Sequence, residues 1–474
     1  MLDFGFIDDW TPAPGRITGW TIAPESHAAM LAAPPHPTPP SYQQEQYLRA
    51  TLRNVDAGVH ASRLCMIAVE LPGHPDRPAL KRTVTRFLRR HDTFASWFTH
   101  EPGGAIARRT VPADTISVIT RDYGLFDSGS AIRAHVHRLV PNALHWDCFG
   151  FGVIDHGTSF TIFAAIDHLH TDGVGQALTF AELLMIYGIE SAGSRAELPP
   201  VGSHLHYCCR ERALNAILLP ESPPTRTWVR LLRQNGGEMP AMPVDLGQDK
   251  GSGFRDGAQI TVPLFDERTA LRFEQVCTDN GGRFLSGLFV ALALTDLELA
   301  GREWYFALTP VNTRKESGES GSIGWYTNLI PIAFQLEPTD TFTSLVSTAQ
   351  WVVDEAKELT DISPHRVLEL AATDPAIRTR PGWAATMLSH IDVRKIPGAE
   401  ILDHINGGIY GNRAASGAVY VWVNRFSDVT TLSLLFPDTP EAHASINRYV
   451  KTLTAILTTV ATDGDYSVDI DTRR

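Results

Sequence analysis

The chain has 474 residues, 43% of them hydrophobic and 20% charged, with 37 Gly, 31 Pro and a formal net charge of −12. That is a globular balance, too long for one ordinary core, and it predicts a large α/β (α+β) protein of two domains or two halves sharing a cleft. An acidic surface without a dense Lys/Arg run repels phosphate backbones and argues against nucleic acid; Lys81-Arg82 and Arg89-Arg90 fall at helical spacing and read as solvated faces.

The five cysteines (Cys65, Cys148, Cys208, Cys209, Cys277) are scattered and form no C-x-x-C pair, which argues against a disulfide framework and a structural zinc. The acidic start, Met1-Leu-Asp-Phe-Gly-Phe-Ile-Asp-Asp9, lacks the basic and apolar regions of a secretory signal. No apolar run reaches the ~18 residues of a membrane span. The longest, Leu288 to Ala300, is interrupted by Asp296 and Glu298. The expected place is the cytoplasm, with the inner face of the membrane as the other location considered.

In chain order, residues 1–40 read as irregular with a short strand or two, and the proline-rich stretch 33–40 as extended. Ser41 stands at the N-cap of a helix over 42–54. A strand at 63–71, a helix at 77–91 and an aromatic strand through Phe94, Trp97 and Phe98 follow. Strands are read at 148–154 and 159–166, the second almost continuously apolar and so buried on both faces. Gly173 and Gly175 break that run before a helix at 176–187. Helices near 207–218 and 227–234 precede a Gly/Pro-rich stretch, 235–257, read as the crossover between halves. The second half is read as strands at 258–264, 304–311, 328–336, 385–392, 418–424 and 430–436. Its helices are read at 266–280, 284–300, 342–357, 364–372 and 440–462.

The chemistry concentrates in the loop between the 159–166 strand and its helix, Asp167-His168-Leu169-His170-Thr171-Asp172-Gly173. Imidazole titrates at about 6.5 when unperturbed, so a neutral ring can take a proton and return it. Such a base typically contributes ~10² to 10⁴-fold in rate. The competing reading of a lone His is a hydrogen-bonded core residue. Asp172 reads as an orienting carboxylate, an arginine partner, or a turn former before Gly. His168-x-His170-x-Asp172 also matches the start of the zinc-hydrolase pattern H-x-H-x-D-H, but Gly173 stands at its last position and only single histidines such as His204, His206 and His390 lie downstream. No G-x-S-x-G elbow occurs.

The loop resembles the H-H-x-x-x-D-G motif of the CoA-dependent acyltransferase and condensation-domain superfamily, with Asp167 in place of the first His. Ser41-Tyr-Gln-Gln-Glu-Gln46 resembles the superfamily's opening helix, Arg90-His91-Asp92 its R-H-D/E motif, and Gly324-Trp-Tyr-Thr-Asn328-Leu-Ile-Pro331 its G-x-x-x-N-x-x-P motif, in the correct order. Leu88-Arg-Arg-His-Asp-Thr-Phe94, Trp146-Asp-Cys-Phe149, Trp422-Val-Asn-Arg-Phe426 and Phe436-Pro-Asp-Thr-Pro440 are similar to one branch, the mycobacterial polyketide-associated (Pap) acyltransferases that build acylated trehalose lipids.

The resemblance implies two chloramphenicol-acetyltransferase-like lobes, 1–220 and 258–474, joined by a crossover at 221–257, with an active-site tunnel between them. It implies transfer of a long-chain fatty acyl group from acyl-CoA or an acyl carrier to a hydroxyl of a sugar or glycolipid of trehalose type, with His168 as general base and no acyl-enzyme. Asp172 would pair structurally with an arginine, by position Arg314, and Gly173 would shape the loop. Asp167, His170, Asn328 and Ser389 are the candidates for substrate or oxyanion contacts. No metal and no cofactor beyond the acyl-CoA substrate is expected. A polyketide synthase or lipid transporter is a candidate contact, and a monomer is the expected state. The alternatives are a non-catalytic condensation-like domain binding a carrier protein or lipid, and the zinc hydrolase built on His168, His170 and Asp172.

Overall fold

The near-continuous apolar run Ser159–Asp167 becomes the central strand of a seven-stranded sheet, buried from Phe160 onward. The strand order is Leu2–Phe6, Asn406–Gly411, Leu64–Pro72, Ser159–Asp167, Phe149–Asp155, Gly15–Ile22 and Val118–Phe126. Both neighbours of the central strand are antiparallel to it, Leu64 facing Asp167 and Phe149 facing Ile166. Helices Arg77–Arg90 and Gly173–Ser191 pack on one another, and the second lies along the Leu64–Pro72 strand. The helix Tyr42–Asp56 begins at Ser41 as expected, with a capping box in which Ser41 and Gln44 exchange hydrogen bonds.

This computed structural model describes residues 2–58, 62–247, 255–379, 383–395, 406–414 and 416–468. Within the stretch read as irregular it holds a strand, Gly15–Ile22, and a helix, Pro24–Ala32, opened by a proline whose fixed φ suits the first turn. The strands Ile106–Thr110 and Val118–Phe126 and the helix Gly129–Leu139 are further elements that the sequence reading left out.

A second sheet of six strands runs in the order Gly257–Asp266, Val429–Pro437, Tyr420–Arg425, Met387–Asp392, Trp304–Asn312 and Thr327–Gln335. Helices Glu267–Asp279, Phe284–Ala300, Phe342–Ala356 and Pro440–Asp463 pack together over one face, and their apolar side chains merge with Val421, Val423, Leu432 and Leu434 in one core. The apolar run around Leu288 is thus a core helix. Its Asp296 is buried and accepts from the Tyr449 hydroxyl at 2.7 Å. Among the described residues no helix is long and apolar enough to cross a membrane.

The chain gathers into two compact units. The first comprises Met1–Ala216, Asn312–Thr327 and Ile396–Ala414; the second comprises Ile217–Val311, Asn328–Lys395 and Ala415–Arg474. The first unit therefore takes back two segments from the later half, which linear boundaries at 220 and 258 do not show. One supplies the Asn406–Gly411 strand and the other carries Arg314. Of the stretch read as the crossover, residues 248–254 lie outside the described residues.

Candidate active site

The central strand ends at Asp167 and the chain turns through a single 3₁₀ turn, His168–His170, into the helix Gly173–Ser191. The turn is held from three sides. The His168 backbone N–H donates to the Arg63 carbonyl at 2.7 Å. The Asp167 carboxylate accepts from the Leu169 N–H (3.0 Å) and from the Tyr47 hydroxyl (3.0 Å), and Gln44 donates to the Leu169 carbonyl at 2.9 Å. Two residues of the opening helix, Gln44 and Tyr47, thereby fix the loop 120 residues downstream.

His168 is half-buried, and its ring lies against Trp325 with centroids 4.1 Å apart and planes at 39°. Nδ1 is the buried nitrogen and has no hydrogen-bond partner among the described residues, so the Nε2 edge is the one open to a reactant. Burial, followed by the nearby Arg63 charge, pushes the imidazole down to about 4, and the polar backbone of the turn at His168, the Asp172 carboxylate and the backbone at Thr171 only partly oppose this. The ring is neutral at pH 7 and can accept a proton.

Asp172 caps the following helix by accepting from the Gly175 N–H at 2.7 Å. Its two oxygens also meet the Arg314 guanidinium, Nη1 to Oδ2 at 3.0 Å and Nη2 to Oδ1 at 3.1 Å. The Tyr326 N–H (2.8 Å) and Thr327 hydroxyl (3.2 Å) complete the set. Burial opposes the charge on Asp172, but Arg314 and these donors outweigh it and hold the carboxyl below its ordinary value. Arg314 in turn donates to the Ser322 and Gly324 carbonyls, which ties the returning segment to the His168 loop.

The structure corrects several expected roles. Asp167, a candidate substrate contact, is 0% exposed and spends its oxygens on the turn; burial raises its carboxyl to about 7. His170, another candidate contact, is 1% exposed, packed between Phe94 and Phe149 and hydrogen-bonded to Thr93, which makes it a core residue. Asn328 and Ser389 belong to the second unit. The Asn328 amide donates to the Thr360 and Ile362 carbonyls at 2.8 and 2.9 Å, so its N–H groups are committed to a loop and not free for an oxyanion. Ser389 lies mid-strand opposite Trp422. Gly173 is exposed at the first helical position, and the glycine the geometry requires is Gly175, where a Cβ would sit 2.6 Å from the Thr171 hydroxyl. Asp172 is committed to Arg314 and His170 to the core, and among the described residues no group of three or more His, Cys, Asp or Glu could hold a metal.

Sequence reasoning missed Trp325, Tyr47 and the work of Arg90-His91-Asp92. His91 Nε2 meets Glu182 at 3.0 Å and Arg90 meets the same carboxylate at 2.8 Å, joining two helices. Asp92 caps the helix His204–Ala216 through the His204 N–H (2.9 Å), and His204 Nε2 lies 3.2 Å from the Trp325 carbonyl. The motif is a brace behind the indole that meets His168.

Comparison with known proteins settles the family. The condensation-domain family matches residues 59–368. Acyltransferase PapA3 of Mycobacterium tuberculosis is 32% identical over 473 residues, covering 98% of each chain. Trehalose-2-sulfate acyltransferase PapA2 of the same organism is 35% identical over 461 residues, covering 96% of this chain and 97% of that one. The chain belongs to the Pap acyltransferases, within the condensation-domain superfamily. A solved PapA2 acyl transferase structure superposes with a TM-score of 0.90 at 34% identity, covering 97% of this chain and all of that one. Like other Pap proteins the chain is an O-acyltransferase, with the two-part α/β fold expected from its motifs.

Proposed function

We propose that this Pap protein moves a long-chain fatty acyl group from acyl-CoA to a hydroxyl of a trehalose-type glycolipid precursor, in one direct transfer with His168 as general base. The observation that carries the reading is the state of His168: a neutral ring, pinned against Trp325, with only its Nε2 edge open. Nε2 takes the acceptor proton as the oxygen attacks the thioester carbonyl. The C–O bond forms, the C–S bond breaks, and the imidazolium returns the proton to the departing thiolate. Both substrates meet at one base, so no acyl-enzyme is needed and no cofactor takes part. Asp172 and Arg314 act on the loop and not on the substrate. The trehalose-type acceptor is supported by the name of the PapA2 relative.

The test is incubation with palmitoyl-CoA and either trehalose or trehalose-2-sulfate, with thiol release, product mass and intact-protein mass followed together. Acceptor-dependent release, an acylated disaccharide and no protein adduct support the reading. An acylated protein overturns direct transfer. No release with either sugar overturns the acceptor class and moves the weight to a binding domain.

A further inference from the structure

Residues 322–326 belong to the first unit and bring Trp325 against His168. Their backbone is held almost residue by residue. Arg314 donates to the Ser322 and Gly324 carbonyls, the Ile323 N–H donates to His91 Nδ1 at 3.3 Å, and the Tyr326 N–H donates to Asp172. The hold on Trp325 comes from His204, whose Nε2 lies 3.2 Å from the Trp325 carbonyl.

The His204 ring is fully buried. It lies flush on Gly324, where a Cβ would overlap it, and meets the Tyr326 ring edge-on with centroids 5.0 Å apart. A carbonyl only accepts, so Nε2 carries a proton and Nδ1 is left to face Cys208, whose Sγ is 3.9 Å away and one turn along the same helix. The same sulfur is 3.6 Å from Gln44 Oε1. Backbone groups set the orientation of that amide, since the Ser41 N–H donates to Oε1 and the Leu169 carbonyl accepts from Nε2. His204 and Cys208 thus join the two holds on the base, Gln44 under its turn and Trp325 against its ring. All of these residues lie in the first unit.

We infer that His204, backed by Cys208, is a positioning residue for the transfer: it sets the Trp325 backbone, and the indole sets the His168 ring. The inference rests on the reading of His168 as the base and adds what holds that ring in place. The test is kinetics with palmitoyl-CoA and trehalose as a function of pH, with melting midpoints. The proteins are wild type, His168→Ala, His204→Phe, Cys208→Ala, Cys208→Ser, Trp325→Ala and the double variant His204→Phe/Trp325→Ala. His204→Phe keeps a ring on Gly324 and removes the donor. It is expected to lower kcat about three- to ten-fold while both KM values hold. It should also raise the acid limb of kcat/KM from about 4 toward the ordinary imidazole value, because a loosened indole lets water reach the His168 ring. Cys208→Ala should lower kcat about two- to three-fold, and Cys208→Ser, with a hydroxyl in the place of the thiol, should recover it. In the Trp325→Ala background His204→Phe should cost less than about two-fold, because the indole it positions is gone.

An unmoved kcat and acid limb in folded His204→Phe, a loss carried by KM, or a full further loss on top of Trp325→Ala overturns the role. If His204→Phe does not fold, the Cys208 pair decides: wild-type kcat in Cys208→Ala, or no recovery in Cys208→Ser, overturns it. Equal release by wild type and His168→Ala removes the base reading and this role with it; a His168-dependent wild type with unmoved variants removes the positioning role alone.

Discussion

Replacing Arg314 with Ala leaves the Asp172 carboxylate in place with only the Gly175 and Tyr326 N–H groups and the Thr327 hydroxyl as donors. The two side chains are 3% and 2% exposed, so solvent cannot replace the lost guanidinium. Breaking such a pair from one side costs ~3–5 kcal/mol, whereas removing both charges leaves neither stranded. Arg314→Ala and Asp172→Ala should each lose about that much, and the double variant should lose less than their sum by ~1–3 kcal/mol. The carboxyl is held below its unfolded value of about 3.9, so the contribution is whole above that pH and is lost as pH falls through the folded value. The loss caused by Arg314→Ala should therefore shrink in acid. Urea denaturation of the four proteins measures the cycle, with hydrogen exchange across residues 173–191 reporting the first unit separately. Strict additivity, or a loss below ~1 kcal/mol for Arg314→Ala, would refute the claim that this pair holds the loop.

Other outcomes follow from the same geometry. With His168 lowered to about 4, the acid limb of kcat/KM should lie near that value, leaving activity flat from pH 8 to about 5; a limb at about 6.5 would mean an unperturbed ring. Gly175→Ala forces a Cβ to 2.6 Å from the Thr171 hydroxyl and 3.2 Å from Asp172 Oδ1 and should lower stability by ~1–3 kcal/mol. Gly173→Ala, at an exposed position, should be nearly silent in the same melting assay. Trp325→Ala should lower kcat more than it raises either KM and should shift the acid limb, with Trp325→Phe recovering part of the rate; an unmoved pH profile would leave Trp325 a packing residue only.

The strand, turn and helix that present His168 were legible because an apolar run of strand length ends in a polar loop with two glycines, a local pattern. The cap at Ser41 was legible for the same reason. What holds the loop was not, since Tyr47 to Asp167 and Gln44 to Leu169 are contacts between residues more than 100 positions apart. The Asn406–Gly411 strand escaped notice because its Asn-Gly-Gly start looks like a turn. A Cβ at Gly407 would stand 2.7 Å from the Ala68 carbonyl, so the close approach of backbones replaces the side-chain signal of a strand. His170 showed a metal-ligand spacing, but its neighbours in space, Phe94 and Phe149, make it a core residue, and spacing alone carries no information about them.

The central claim is tested most directly by thiol release from palmitoyl-CoA with trehalose, for wild type and His168→Ala, with circular dichroism on both. A base of this kind predicts a loss of ~10² to 10⁴-fold in acceptor-dependent release with the fold unchanged. Equal release by the two folded proteins would contradict the account and remove His168 from the chemistry.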